Sequence, residues 1–226
     1  MYSEGCSGLI LLLSQGTSRY LMKDDQREKV EGKENMESAS ATPKEADLAR
    51  KRERLLGIIR RESLLQNKDF RLVSGRSSNF FFDMKKTMLD PEGASLLGDL
   101  LFDMIRVDDV DYIGGLETGA IPIIAAICVR SWPEKPIKGF FVRKETKGHG
   151  TDQRVDGHIE RGTNVILFED VTTTGGSAMQ VVNQARQFEC TILKVISVVD
   201  RLEGAEENFR AAGIEFDALF TWRDFS

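Results

Sequence analysis

The run Val165-Ile166-Leu167-Phe168-Glu169-Asp170-Val171-Thr172-Thr173-Thr174-Gly175-Gly176-Ser177 holds the residues best suited to chemistry. Apolar residues give way to a pair of acids, Glu169 and Asp170, and then to a turn of hydroxyls and glycines. A helical pattern follows, Ala178 to Phe188. A strand that opens onto a small-residue turn at a helix start presents unpaired backbone N–H groups and the positive helix end to an anion. The Thr and Ser hydroxyls add donors. Acids beside a phosphate would repel it, so Glu169 and Asp170 need a separate partner. A diol, or a metal bridging to the ligand, would use them. The motif therefore suggests a phosphorylated sugar more than a bare phosphate. In an extended backbone the two acids point to opposite sides, so a turn would be needed to bring both to one ligand.

Other loops could serve the same ligand. Arg143-Lys144-Glu145-Thr146-Lys147-Gly148-His149-Gly150 is basic, carries two glycines and lacks an apolar anchor. It reads as a mobile lid whose cations neutralise an anionic group as it leaves, with His149 assisting. Gly114-Gly115-Leu116-Glu117-Thr118-Gly119 can bring backbone amides to a second anionic group, and it also fits a plain strand-to-helix connection. Asp200-Arg201 follows an apolar run, and Arg201 could meet a carboxylate with a planar fork or form a surface ion pair. A lysine-hydroxyl phosphate-loop signature and a dinucleotide fingerprint are both missing from the sequence. His149 and His158 have no partners at metal-site spacing, so no protein metal centre is implied.

The elements that must position these loops follow from periodicity. A helix begins near Glu45, with Leu48, Leu55, Ile58, Ile59 and Leu65 able to share a face. Phe70 to Asp83 alternates loosely around a Ser74-Gly75 turn. Asp90-Pro91 starts a second helix, whose apolar stripe is Leu96, Leu97, Leu100, Leu101, Met104 and Ile105. Strands are expected at Tyr112–Gly114, Ile137–Val142, Val165–Phe168, Ile192–Val199 and Phe216–Phe220. Helices are expected at Ala120–Arg130 and Ala205–Ala212. Strands alternating with crossover helices predict an α/β protein with a parallel sheet covered on both faces. Binding sites in such sheets gather at the carboxyl ends of the strands.

The 226 residues suit one α/β domain, and a net charge of −5 argues against general nucleic-acid binding. Cys6, Cys128 and Cys190 are odd in number and widely spaced, which fits a reducing cytoplasm. No segment approaches the roughly 20 apolar residues needed to span a bilayer. Leu9 to Leu13 is too short, and too poorly flanked by basic residues, for a secretion signal. Residues 1–46 read as a flexible or poorly ordered leader, and 47–226 as a single domain.

Val165 to Ser177 resembles the phosphoribosyl pyrophosphate (PRPP) motif of type I phosphoribosyltransferases. Within them the chain is similar to the orotate phosphoribosyltransferase family. Phe70-Arg71-Leu72-Val73-Ser74-Gly75-Arg76-Ser77-Ser78, followed by Phe80-Phe81-Phe82-Asp83, resembles the family's orotate-side segment. Arg143 to Gly150 is similar to its catalytic lid, and Asp200-Arg201 occupies the place of its orotate-side arginine. The resemblance spans roughly residues 48–222. It implies the type I fold, a mostly parallel central sheet flanked by helices with a small hood. It implies transfer of the 5-phosphoribosyl group of PRPP to orotate, giving orotidine 5-monophosphate and pyrophosphate in pyrimidine biosynthesis.

The resemblance also implies roles. Glu169 and Asp170 would hold the ribose hydroxyls. Val171, Thr172, Thr173, Thr174, Gly175, Gly176 and Ser177 would cradle the 5-phosphate. Gly115, Glu117, Thr118 and Gly119 would contact pyrophosphate. Arg143, Lys144, Lys147 and His149 would close over the site, with Lys147 the chief catalytic lysine. Phe81 and Phe82 would flank the pyrimidine ring, and Thr173 and Arg201 would contact orotate. Mg²⁺ would be the cofactor, bound mainly through PRPP. The chain would be a cytoplasmic homodimer whose lid reaches into the partner's site. Thr118 and Val73 stand where many or some bacterial relatives carry lysines, so pyrophosphate would lean more on Mg²⁺, Arg143, Lys144 and backbone amides. Two other readings keep the PRPP site. One takes a purine or uracil as the base. The other is a regulator that binds nucleic acid through Arg50, Lys51, Arg52 and Arg54.

Overall fold

The computed structural model describes residues 42–71, 77–145 and 154–226. Helix α1 (Pro43–Ile58) starts where the sequence supplies a reciprocal cap. The Thr42 side chain accepts from the Glu45 backbone, the Glu45 carboxylate accepts from the Thr42 N–H, and Pro43 fills the first turn. The helix buries Leu55 and Ile58 and continues as a π-helical turn, Ile59–Ser63. Leu65 does not share its face, because the chain has turned into strand β1 (Leu64–Arg71) by then. β1 pairs antiparallel with β2 (Ser77–Phe82) to form a small separate hairpin. The expected Ser74-Gly75 turn lies outside the described residues.

A short helix α2 (Lys85–Met88), not anticipated from periodicity, leads to α3 (Pro91–Ile105). Asp90 caps α3 by accepting from the Gly93 N–H at 2.8 Å. Then come β3 (Tyr112–Gly115), α4 (Ala120–Ser131), β4 (Lys138–Val142), β5 (Val155–Gly157), β6 (Asn164–Thr172), α5 (Gly176–Gln187), β7 (Thr191–Asp200), α6 (Ala205–Ala211) and β8 (Glu215–Thr221). The sheet order is β5-β4-β3-β6-β7-β8. All of its pairings are parallel except β4–β5. The sheet is thus mixed at one edge. The edge strand β5 is short and ends in glycine, which explains its weak signal in the sequence.

Strand β6 shows why both faces are covered. Ile166 and Phe168 belong to a core built with α1, α3 and α4. Val165 and Leu167 belong to a second core built with α5 and α6. Alternate residues of one strand therefore feed two apolar layers, as the continuous hydrophobic run requires. From β3 the chain moves to β4 on one side, then returns to β6 on the other. The reversal leaves a crevice beyond the carboxyl ends of β3 and β6, the place where open α/β sheets bind ligands.

Candidate functional site

A cavity of about 310 Å³ occupies that crevice. The loop after β3 contributes Leu116, Glu117, Thr118, Gly119 and Ala120 to its wall. β6 and the turn after it contribute Phe168, Glu169, Asp170 and Ser177, and Lys85 and Lys144 complete the wall.

β6 is longer than the sequence suggested. It runs through both acids to Thr172, because Thr172 pairs with Asp200 and its carbonyl accepts from the Arg201 N–H at 2.9 Å. No turn swings the acids together. Instead, β3 stops at Gly115, opposite Phe168, so β6 overhangs its neighbour. Both acids beyond that point line the cavity.

Glu169 is buried and its carboxyl is pushed up to about 8, chiefly by burial and then by the neighbouring Asp170 charge. The Thr172 hydroxyl donates to it at 3.4 Å, which opposes the shift. Asp170 is half-buried and also raised, first by burial. The Val171 N–H, donating at 2.9 Å, and the charges of Lys85 and Lys144 oppose that rise.

After the acids the chain makes an anion-binding turn. Gly175 has φ 82°, a left-handed conformation, and a Cβ there would meet the Phe209 ring at 2.6 Å. No side chain caps α5, which leaves its first N–H groups open to a ligand. Asn208 donates to the Thr174 carbonyl at 2.9 Å and fixes the turn from outside.

The loop Gly115 to Gly119 packs tightly. A Cβ on Gly115 would lie 2.5 Å from the Phe168 carbonyl oxygen. The Glu117 carboxylate accepts from the Lys144 backbone N–H at 2.8 Å, which ties this loop to the basic segment. Lys144 lines the cavity. Arg143 does not. Its guanidinium pairs with Asp156 on β5 and lies over Phe141. Lys147 and His149 lie outside the described residues.

Arg201 sits at the end of β7 with only 5% of its surface exposed. Its Nη2 reaches Ser78 Oγ at 3.0 Å and Glu203 at 2.8 Å. Its Nε is buried without a hydrogen-bond partner among the described residues. The guanidinium lies 4.3 Å from the centre of the Phe80 ring, which stacks at 3.6 Å on Trp222. Phe81 and Phe82, expected to flank one ring, make contacts on opposite sides of β2. Phe82 is buried edge-on against Trp222 and Phe225, whereas Phe81 is exposed and stacks on Phe70. Side chains alternate along β2, so neighbouring phenylalanines face opposite ways. The same alternation marks out Ser78 and Phe80 as Arg201's neighbours, which the sequence reading missed.

The whole arrangement can hold a sugar diol at paired acids, one anion at the head of α5, and a second at the loop after β3. A planar anionic ring has a fork in Arg201. No family model matches the chain. The orotate phosphoribosyltransferase of Rhodopseudomonas palustris (strain BisB18) is 48% identical over 179 residues, covering 77% of this chain and 95% of the relative. That of Aquifex aeolicus is 40% identical over 172 residues, covering 75% and 94%. A crystal structure of the Mycobacterium tuberculosis H37Rv orotate phosphoribosyltransferase in complex with PRPP superposes with a TM-score of 0.65. It is 30% identical and covers 77% of this chain and 98% of the other.

Proposed function

The chain belongs to the orotate phosphoribosyltransferase family, and from that premise we infer that its cavity transfers the 5-phosphoribosyl group of PRPP to orotate. The products are orotidine 5-monophosphate and pyrophosphate, a step of pyrimidine biosynthesis. One observation carries the reading. Glu169, Asp170, Ser177 and the loop Leu116 to Gly119 line a single cavity at the point where the strand order reverses.

In this reading Glu169 and Asp170 hold the ribose hydroxyls. The segment Val171 to Ser177, from the last residues of β6 into the start of α5, takes the 5-phosphate on the amides of α5. Gly115, Glu117, Thr118 and Gly119 border the pyrophosphate. Arg201 and Thr173 hold orotate by its carboxylate and carbonyl groups. Mg²⁺ would be held mainly through PRPP, and the hard carboxylate oxygens of Glu169 and Asp170 would suit it. When bound, Mg²⁺ supplies positive charge against the departing pyrophosphate. Lys144, Lys147, His149 and Arg143 would add positive charge against the same leaving group. The orotate ring nitrogen, used as the anion after its proton passes to solvent, attacks the opposite face of the ribose carbon, which gains oxocarbenium character as its bond to the departing pyrophosphate oxygen breaks. Orientation and electrostatics supply most of the acceleration.

The reading includes a homodimer. Exposed Leu89, Val129 and Trp132 line an apolar groove of about 620 Å³ between α3 and α4, a face suited to a second copy. The partner's basic segment would then complete the site. Arg143, turned here to Asp156, would act in the neighbouring cavity. Residues 47–226 hold the catalytic domain, which α1 extends back to Pro43, and the residues before that helix form its leader. Free Cys128 and Cys190 suit the cytoplasm. Among the described residues no helix is long and apolar enough to cross a membrane.

A base-exchange panel tests the substrate assignment. With PRPP and Mg²⁺ present, orotate should be consumed while uracil, adenine and hypoxanthine persist. Use of a neutral base in preference to orotate would overturn the role given to Arg201.

A further inference from the structure

The loop that borders the pyrophosphate has no cation of its own. Between Leu116 and Gly119 its only charged side chain is Glu117, and that carboxylate is held by the Lys144 N–H. The described wall of the cavity carries the acids Glu117, Glu169 and Asp170 against the lysines Lys85 and Lys144. By formal charge three acids there outnumber two lysines, so a polyanion entering the space depends on each lysine the wall supplies.

Lys85 reaches this wall from a different element, the first residue of α2. Its backbone is fixed from below. Met84, Thr87 and Met88 are buried, and the Thr87 hydroxyl lies 2.6 Å from that of Ser63. The Asp83 carboxylate pairs with its ammonium at 2.6 Å. More than half of the Lys85 side chain is exposed, and an ion pair that open to water adds little to stability. The fold therefore gives little reason for a lysine here, whereas the cavity does. Lys86, the next residue, is also exposed but does not line the cavity.

We propose that Lys85 is a pyrophosphate-binding residue, supplying from α2 the positive charge that the loop bearing Thr118 lacks. The assignment rests on the PRPP reading of the cavity. Asp83 holds the ammonium in place, and the lysine contacts the substrate's pyrophosphate end while Lys144 faces it from the basic segment. Its charge also favours the ionised form of Asp170.

The test compares the full-length wild type with Lys85→Ala, Lys85→Arg and the control Lys86→Ala. Binding of inorganic pyrophosphate with Mg²⁺ is followed by calorimetry, and KM for PRPP and for orotate by initial rates. Lys85→Ala is expected to weaken pyrophosphate binding and raise the PRPP KM by about tenfold or more, with the orotate KM and Tm unchanged. Lys85→Arg should retain most of the affinity, and Lys86→Ala all of it. Pyrophosphate affinity equal in wild type and Lys85→Ala would overturn the assignment. So would an equal rise in both KM values with a lowered Tm, which marks a structural role. Calorimetry needs no turnover. A wild type that ignores orotate but shows the Lys85 effect on pyrophosphate would refute the transferase reading and leave the Lys85 assignment standing.

Discussion

The Asp170 carboxylate lies against Gly119, so closely that a methyl group on that glycine would sit 2.5 Å from Oδ1. The contact joins the loop after β3 to the acids on β6. Gly119 has φ −62°, a value any residue adopts, so its lack of a side chain answers to the nearby Asp170 carboxylate and not to backbone strain. Gly119→Ala should therefore leave Tm nearly unchanged while displacing Asp170. The expected loss is at least about tenfold in kcat/KM for PRPP, and Asp170→Asn should reproduce it. Kinetics equal to wild type in either variant would count against ribose binding at Asp170.

Glu169 makes stability depend on pH. Its folded pKa, about 8, lies above the ordinary carboxylate value of 4.5. Between these values the folded state holds a proton that the unfolded chain has released, so stability falls as pH rises through the window. Glu169→Gln removes the burden. The variant's Tm should match wild type near pH 4.5, exceed it increasingly toward pH 8, and stay above it by a constant margin beyond. A margin of at least about 3 °C at pH 9 is expected for a domain of this size. Thermal melts across that range check it, and a difference that shrinks with rising pH would contradict the burial argument.

Arg201 holds Ser78 and Glu203 through one nitrogen, lies over Phe80, and keeps its Nε unpartnered among the described residues. A lysine keeps the charge but loses the planar fork. Arg201→Lys should raise the orotate KM by about tenfold or more, because a buried recognition group is left mismatched. The PRPP KM should stay within about twofold, since binding at the diol and phosphate ends is separate. Initial rates with each substrate varied in turn decide it. Parallel rises in both KM values would place Arg201 in the scaffold instead.

Much of this was legible in the chain, for identifiable reasons. The stripe of α3 and the run Val165 to Phe168 are long and strongly patterned, so helix and strand followed directly. The acids and glycines of residues 169–177 stand together in the sequence, so a candidate site was legible there, and Glu169, Asp170 and Ser177 do line one cavity. What escaped was set by distant partners. β6 extends to Thr172 only because β7 is there to pair with it, and β5 exists only as an edge on β4. Phe82 is drawn into the core by Trp222 and Phe225, both remote in sequence. Lys85 belongs to no motif in the sequence, and α2 is what brings it to the cavity.

In the proposed reaction Lys147 would carry the chief catalytic charge of the basic segment, as the sequence resemblance implies. Lys147→Ala should leave Tm and secondary structure intact and cut turnover at least about tenfold, the equivalent of about 1.4 kcal/mol in the barrier. Steady-state kcat with a thermal melt of the same sample checks both parts. Unchanged kcat would remove Lys147 from the mechanism.

The most direct measurement follows orotate spectrophotometrically with the purified full-length protein, PRPP and Mg²⁺, while pyrophosphate is quantified in the same mixture. The account predicts that orotate disappears in step with pyrophosphate release, and that omitting PRPP stops both. Orotate that persists under these conditions, in a protein that is folded and binds PRPP, would contradict it.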